Sequence, residues 1–154
     1  MRKLLFGIII IDQIIKQLVT HNMTPGESIP VIAGVFHLTF VENPGAAFGM
    51  LENQQWFFVL VASAFILAAC FFYYRIAREG IFFRYGCMAL TGGTAGNLID
   101  RLLPGGKVID FLDFQIWPVF NIADIAIVVG LICMVGDTIF LREGDAADAT
   151  IRRG

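Results

Sequence analysis

Asp110 and Asp124 are the residues of this chain whose type and spacing point most directly to chemistry. Asp110 leaves the strand-like run Lys107-Val108-Ile109-Asp110-Phe111, and Asp124 lies in the apolar stretch that follows, with Asn121 three residues earlier on the same face. The connection is short enough for the two carboxylates to meet. Two carboxylates a few Å apart cannot both ionise, so one keeps a proton, and such a pair activates water while protonating a leaving group. That is metal-free peptide hydrolysis by general acid and base. Spacing alone leaves a second reading open, in which Asp124 makes a polar packing contact and Asp110 is a solvated loop acid. Asp113 competes with Asp110 from three residues along, whereas Asp137 falls about 20 Å further down a helix at 1.5 Å per residue, away from the pair.

Three other groups of polar residues interrupt apolar sequence. Asp12 and Lys16 are four apart and share a helix face, which suggests a structural ion pair that lets Lys16 snorkel outward while bonding a neighbouring helix. A cation one turn away holds Asp12 ionised, which argues against a catalytic role for it. Asn97 and Arg101 are four apart with Asp100 beside them, giving a polar face at a helix end. Arg101 could hold a substrate carbonyl or a lipid headgroup, or merely neutralise Asp100, and spacing does not choose. Asn43 and Gly45 open the turn Asn43-Pro44-Gly45. The sequence has no H-E-x-x-H, no G-x-S-x-G and no glycine-rich phosphate loop, so neither a zinc protease, a serine elbow nor a nucleotide site is indicated. Cys70, Cys87 and Cys133 lack metal or disulfide spacing and read as small apolar packing residues; no metal and no cofactor are expected.

The elements that must position these groups are membrane helices. Of the 154 residues 57% are hydrophobic and 16% charged, against about 45–50% and about 25% in soluble domains. With a net charge of −2, nothing suggests a nucleic-acid partner. A helix crossing the bilayer needs about 20 mostly apolar residues, and 4–20, 56–74, 81–99 and 117–141 qualify. On that reckoning Asp124 lies about two turns inside the fourth span. Eight of the eleven Lys and Arg residues fall at the N-terminus, in the second connection and at the C-terminus, while the segment 21–55 has none. The positive-inside rule then places both termini in the cytoplasm. The outer segment 31–41, rich in β-branched and aromatic residues, reads as one or two short strands, and 105–116 repeats that signature more briefly. Residues 1–143 read as a single membrane-embedded domain, and the small, polar 144–154 as a disordered cytoplasmic tail.

Taken in order, Asp12-Gln13-x-x-Lys16, Asn43-Pro44-Gly45-Ala46-Ala47-Phe48-Gly49, Gly96-Asn97-Leu98-Ile99-Asp100-Arg101, Val108-Ile109-Asp110-Phe111 and Phe120-Asn121-Ile122-Ala123-Asp124 resemble the motifs of bacterial lipoprotein signal peptidase, signal peptidase II. The match covers nearly the whole chain. The resemblance implies an α-helical integral membrane protein of four spans with a small extracytoplasmic β-sheet between the first two. It implies an aspartyl endopeptidase of the bacterial cytoplasmic membrane, sensitive to globomycin, that removes signal peptides from prolipoproteins just before a diacylglyceryl-modified cysteine. Asp110 and Asp124 would then be catalytic. Asn43, Gly45, Asn97, Arg101 and Asn121 would line the site, Asp100 would support Arg101, and Asp12 with Lys16 would be scaffolding. The implied partners are prolipoproteins and membrane lipids, with the protein a monomer. The alternative weighed against this is a small transporter or channel subunit relaying protons or ions through Asp12, Lys16 and Asp124. Such a relay spreads polar residues through the membrane depth, whereas 56–74 carries no charge and the polar groups crowd one boundary.

Overall fold

The computed structural model describes residues 2–45 and 54–141. Ala46-Ala47-Phe48-Gly49 of the Asn43 motif and the tail 144–154 lie outside the described residues. The chain runs α1 (Arg2–Asn22), β1 (Ser28–Ile32), β2 (Phe36–Asn43), α2 (Gln55–Phe71), the single turn α3 (Tyr73–Ile76), α4 (Ile81–Leu102), β3 (Val108–Asp113) and α5 (Ile122–Gly136), which continues as a π-helical turn over Asp137–Leu141.

Helix α4 is the centre of the bundle. Gly92 lies against Leu5 and Ile8 of α1, and Gly96 against Asp12, so α1 and α4 run parallel. On another face Gly86 meets Gly130 and Gly93 meets Ala123, so α4 and α5 run antiparallel. The glycines are required by closeness: a Cβ at Gly86 would sit 2.6 Å from the Gly130 carbonyl oxygen, and one at Gly130 equally close to that of Gly86. Small residues at such crossings let helix backbones approach, the usual device where both helices are bathed in lipid. Ten α4 residues are buried, but in α2 only Ala69 is. By length and hydropathy the helices Arg2–Asn22 and Ile122–Ile139 can each cross a membrane; Gln55–Phe71 is apolar but shorter. Because protein surrounds α4 on several sides, its polar residues need not face lipid.

The sheet is antiparallel with order β1-β2-β3, so its third strand comes from the segment between α4 and α5, and the sheet is not confined to the connection between the first two spans. Gly34, at φ +71°, turns the β1-β2 hairpin through a conformation that side chains with a Cβ rarely adopt. Phe40 and Phe111 seat the sheet on Val19 of α1, with Ile122 of α5 packed against them. A second cluster, Ile76, Cys87 and Met88 with Leu5 and Met134, closes the opposite end.

The helix bounds differ from the sequence-based spans at two instructive places. Helix α5, within the sequence-based span 117–141, begins at Ile122, not 117, because Pro118 disfavours helix at Trp117 and Asn121 forms a capping box with Asp124. Asp124 is thus in the first turn of α5 instead of two turns inside. Helix α4 continues to Leu102 and carries Asp100 and Arg101 in its last turn. Cys87 is buried as expected of a packing residue, but Cys70 is exposed on α2.

Candidate active site

Asp110 and Asp124 converge from different elements. Strand β3 places Asp110 opposite Val41 of β2, next to the strand end that carries Asn43. The capping box places Asp124: its backbone N–H donates to Asn121 Oδ1 at 2.9 Å, and its Oδ2 accepts from the Asn121 N–H at 3.2 Å. The same Asn121 side chain donates through Nδ2 to Asp110 Oδ1 at 2.7 Å. One fully buried asparagine thereby ties both acids together. Asn43 Nδ2 donates to Asp110 Oδ2 at 2.9 Å, and Asn97 Nδ2 donates to Asp124 Oδ1 at 2.8 Å.

Both acids line a cleft of about 830 Å³. Asn43, Asn97 and Arg101 share its polar end, while Phe58, Val61 and Phe65 of α2 face Ile127 and Val128 of α5 along an apolar length. Burial pushes the Asp110 carboxyl up to about 7, against the pull of the Asn43 and Asn121 donors and with help from the neighbouring charge of Asp124. A buried acid poised near neutrality beside a second acid is the arrangement that general acid and base catalysis requires.

The remaining residues singled out in the sequence fall around this centre. Gly45 donates its N–H to Asn43 Oδ1 at 3.0 Å, and its carbonyl accepts from Arg101 Nη2 at 3.1 Å. Arg101 also donates to the Asn97 carbonyl at 3.1 Å and lies 4.9 Å from the centroid of the Phe58 ring. Asp100 turns the other way, to Lys16 at 2.6 Å and to Gln13 Nε2 at 2.8 Å. Lys16 pairs with Asp12 at 2.8 Å as expected, yet it does not snorkel: it is 2% exposed, held inside by Asp12, Asp100 and Asn97. Asp12 reaches α5 as well, accepting from the Ala123 N–H at 2.9 Å. Asp113 accepts from Thr39 at 2.6 Å and from Gln115, and does not line the cleft. Asp137 is buried against Gly80 at the start of α4, far along α5 from the cleft.

Sequence reasoning missed Gln55, whose Nε2 donates to the Arg101 carbonyl at 2.6 Å and ties the start of α2 to the end of α4. It missed Phe58 and the role of Gln13 as well. The available signals were weak: one polar residue at the edge of an apolar run, one aromatic among many, and a glutamine beside a more conspicuous acid.

The profile of the family described as Signal peptidase (SPase) II matches residues 4–140. A lipoprotein signal peptidase of Desulfitobacterium hafniense is 48% identical over 122 residues, covering 79% of this chain and 80% of that one. One from Clostridioides difficile is 46% identical over 137 residues, covering 86% and 90%. A bacterial membrane enzyme solved by the in meso method at 1.9 Å resolution superposes with a TM-score of 0.80 at 31% identity, covering 89% of this chain and 90% of its own. With a helical fold, a small sheet and two acids joined across an apolar cleft, this membrane protein belongs to the signal peptidase II family.

Proposed function

We propose that this protein is an endopeptidase that removes signal peptides from prolipoproteins just before a diacylglyceryl-modified cysteine, with Asp110 and Asp124 as its catalytic pair. The observation that carries the assignment is the bridging of the two cleft-lining carboxylates by Asn121, which is itself fully buried and does not line the cleft. The apolar length between α2 and α5 fits a hydrophobic signal segment, and the polar end fits the scissile peptide. One carboxylate takes a proton from water as its oxygen attacks the carbonyl carbon. The other, protonated, gives its proton to the carbonyl oxygen. Collapse breaks the C–N bond, and the departing cysteine amine takes the proton drawn from water. No metal or cofactor enters this scheme. Arg101 and the Asn43-Gly45 turn hold the substrate backbone.

The chain works in the bacterial cytoplasmic membrane as a monomer with four spans, α1, α2, α4 and α5, and with the pair near the outer face. The parallel run of α1 and α4 supports this order, since α2 must return the chain between them. The distribution of Lys and Arg supports cytoplasmic termini. Exposed Ile29, Val31 and Ile32 of β1 and large apolar residues on α2 and α5 favour lipid around the molecule. In a reconstituted assay, Asp110→Asn and Asp124→Asn should each abolish cleavage of a diacylglyceryl prolipoprotein, and globomycin should inhibit the parent enzyme. Robust turnover by either variant would sink the assignment.

A further inference from the structure

Lys16 heads the large side chains that are fully buried, yet the hydrolysis as described makes no use of it. Its ammonium has three N–H donors and three oxygen partners: Asp12 Oδ2 at 2.8 Å, Asp100 Oδ2 at 2.6 Å and Asn97 Oδ1 at 2.9 Å. The two carboxylates alone more than balance its charge, so the contact to Asn97 is not needed for neutrality.

That contact orients an amide. Asn97 Oδ1 also accepts from Asn121 Nδ2 at 3.1 Å, so two donors already face this oxygen and the amide can only present its Nδ2 to Asp124 Oδ1 at 2.8 Å. The other oxygen of Asp124 accepts from the Asn121 backbone N–H at 3.2 Å, a group that can only donate. Both Asp124 oxygens are therefore acceptors, and the residue sits in the first turn of α5, where the helix dipole favours negative charge. Asp110, 2% exposed on its strand, also accepts at both oxygens, from Asn43 Nδ2 and Asn121 Nδ2, but the Oδ1 atoms of those two amides take their bonds from the backbone N–H groups of Gly45 and Asp124 and not from an ammonium.

On the reading that these acids are the catalytic pair, we infer that Lys16 is a positioning residue for the hydrolysis: through Asn97 it holds Asp124 as the ionised member and leaves the shared proton on Asp110. Asp124 then takes the proton from water, and Asp110 gives its own to the carbonyl oxygen. The upward displacement of the Asp110 carboxyl to about 7 agrees with this division. The other charged groups near the pair are Asp12 on α1, Asp100 and Arg101 on α4, and Glu42 on β2, which is engaged by Lys107 at 2.7 Å.

The test is the pH profile of kcat for the full-length enzyme on a diacylglyceryl prolipoprotein. Its acid limb reports the base, and weakening the donors to that carboxylate moves the limb to higher pH. Lys16→Gln and Asn97→Ala should each move it up by about one pH unit and lower kcat about ten-fold, the size expected for one charge-assisted hydrogen bond. Because Lys16 acts through Asn97, the double variant should go no further than the larger single change. A purely structural Lys16 would lower thermal stability but leave the limb in place, and its effect would add to that of Asn97→Ala. Should Lys16→Gln fail to accumulate, the charge-balanced Asp12→Asn/Lys16→Gln variant replaces it with the same expected shift. In infrared difference spectra at mildly acidic pH, the band of a protonated carboxyl should be lost in Asp110→Asn and kept in Asp124→Asn; the reverse overturns the proton assignment. Cleavage by Asp124→Asn would refute the catalytic pair itself, whereas an inactive Asp124→Asn beside unshifted limbs in the Lys16 and Asn97 variants would refute only the inference.

Discussion

An acid whose carboxyl is pushed up to about 7 is half-charged at neutral pH, and this makes Asp110 the residue at which pH should control cleavage. If its proton is used, kcat/KM falls as pH rises through about 7. The donor from Asn43 favours the charged form of Asp110, so Asn43→Ala raises the pH at which that proton is lost. The expected result is a basic limb displaced to higher pH with activity lower by roughly ten-fold, the cost of one hydrogen bond to a charged group. A limb displaced to lower pH would contradict the role given to Asn43. Asp113→Asn should retain substantial cleavage in the same assay, since Thr39 and Gln115 hold Asp113 outside the cleft. This distinction was partly legible beforehand. Residues three apart on a strand face opposite sides, so Asp110 and Asp113 cannot both turn toward one partner. Their register against β2, with Asp110 opposite Val41 and Asp113 opposite His37, decides which one does.

Helix α4 holds the site together because α1, α2 and α5 all reach it, and two of those approaches run through glycines. A Cβ at Gly93 would run into the Ala123 carbonyl oxygen and come within 2.9 Å of Ile127 Cγ1. Gly93→Ala should therefore push α5 away and displace Asp124, the neighbour of Ala123, from Asn97. We expect a loss of about 1–3 kcal/mol in the stability of the purified enzyme, as for other overpacked contacts, together with a marked drop in cleavage. Gly136→Ala, at a helical glycine with nothing within 4 Å of an added Cβ, should leave both unchanged. Equal damage from the two would mean that glycine matters here for flexibility and not for closeness. Helix α4 also shows why some of the structure was hidden in the sequence. The pairing of Lys16 with Asp12 follows from one helix's periodicity, but its burial depends on Asp100 and Asn97 from another helix, which no spacing within α1 reveals. The start of α5 was concealed differently: residues 117–120 carry no charge and run straight into the apolar helix, and that continuity outweighed the proline and the Asn121 cap.

At the scale of the whole molecule, apolar surface is distributed as lipid solvation demands. Leu67 and Phe71 on α2 are 69% and 81% exposed and Ile132 on α5 is 65% exposed, while the ionisable groups Asp12, Lys16, Asp100 and Asp110 are buried together. This inversion of the soluble pattern was readable from composition. For the side on which each loop lies, the sequence offers only the placement of Lys and Arg, because hydropathy has no sign along the membrane normal. The proposed four crossings with cytoplasmic termini would put Ile116, 91% exposed beyond β3, outside and Arg78, between α3 and α4, inside. In a background with Cys70, Cys87 and Cys133 replaced by alanine, Ile116→Cys should react with a membrane-impermeant maleimide added to intact spheroplasts. Arg78→Cys should react only after the membrane is opened. Labelling of both from outside would break the four-span order. Labelling of Arg78→Cys alone from outside would invert it and carry the Asp110–Asp124 cleft to the cytoplasmic face, where a signal segment crossing outward would meet it from the wrong end.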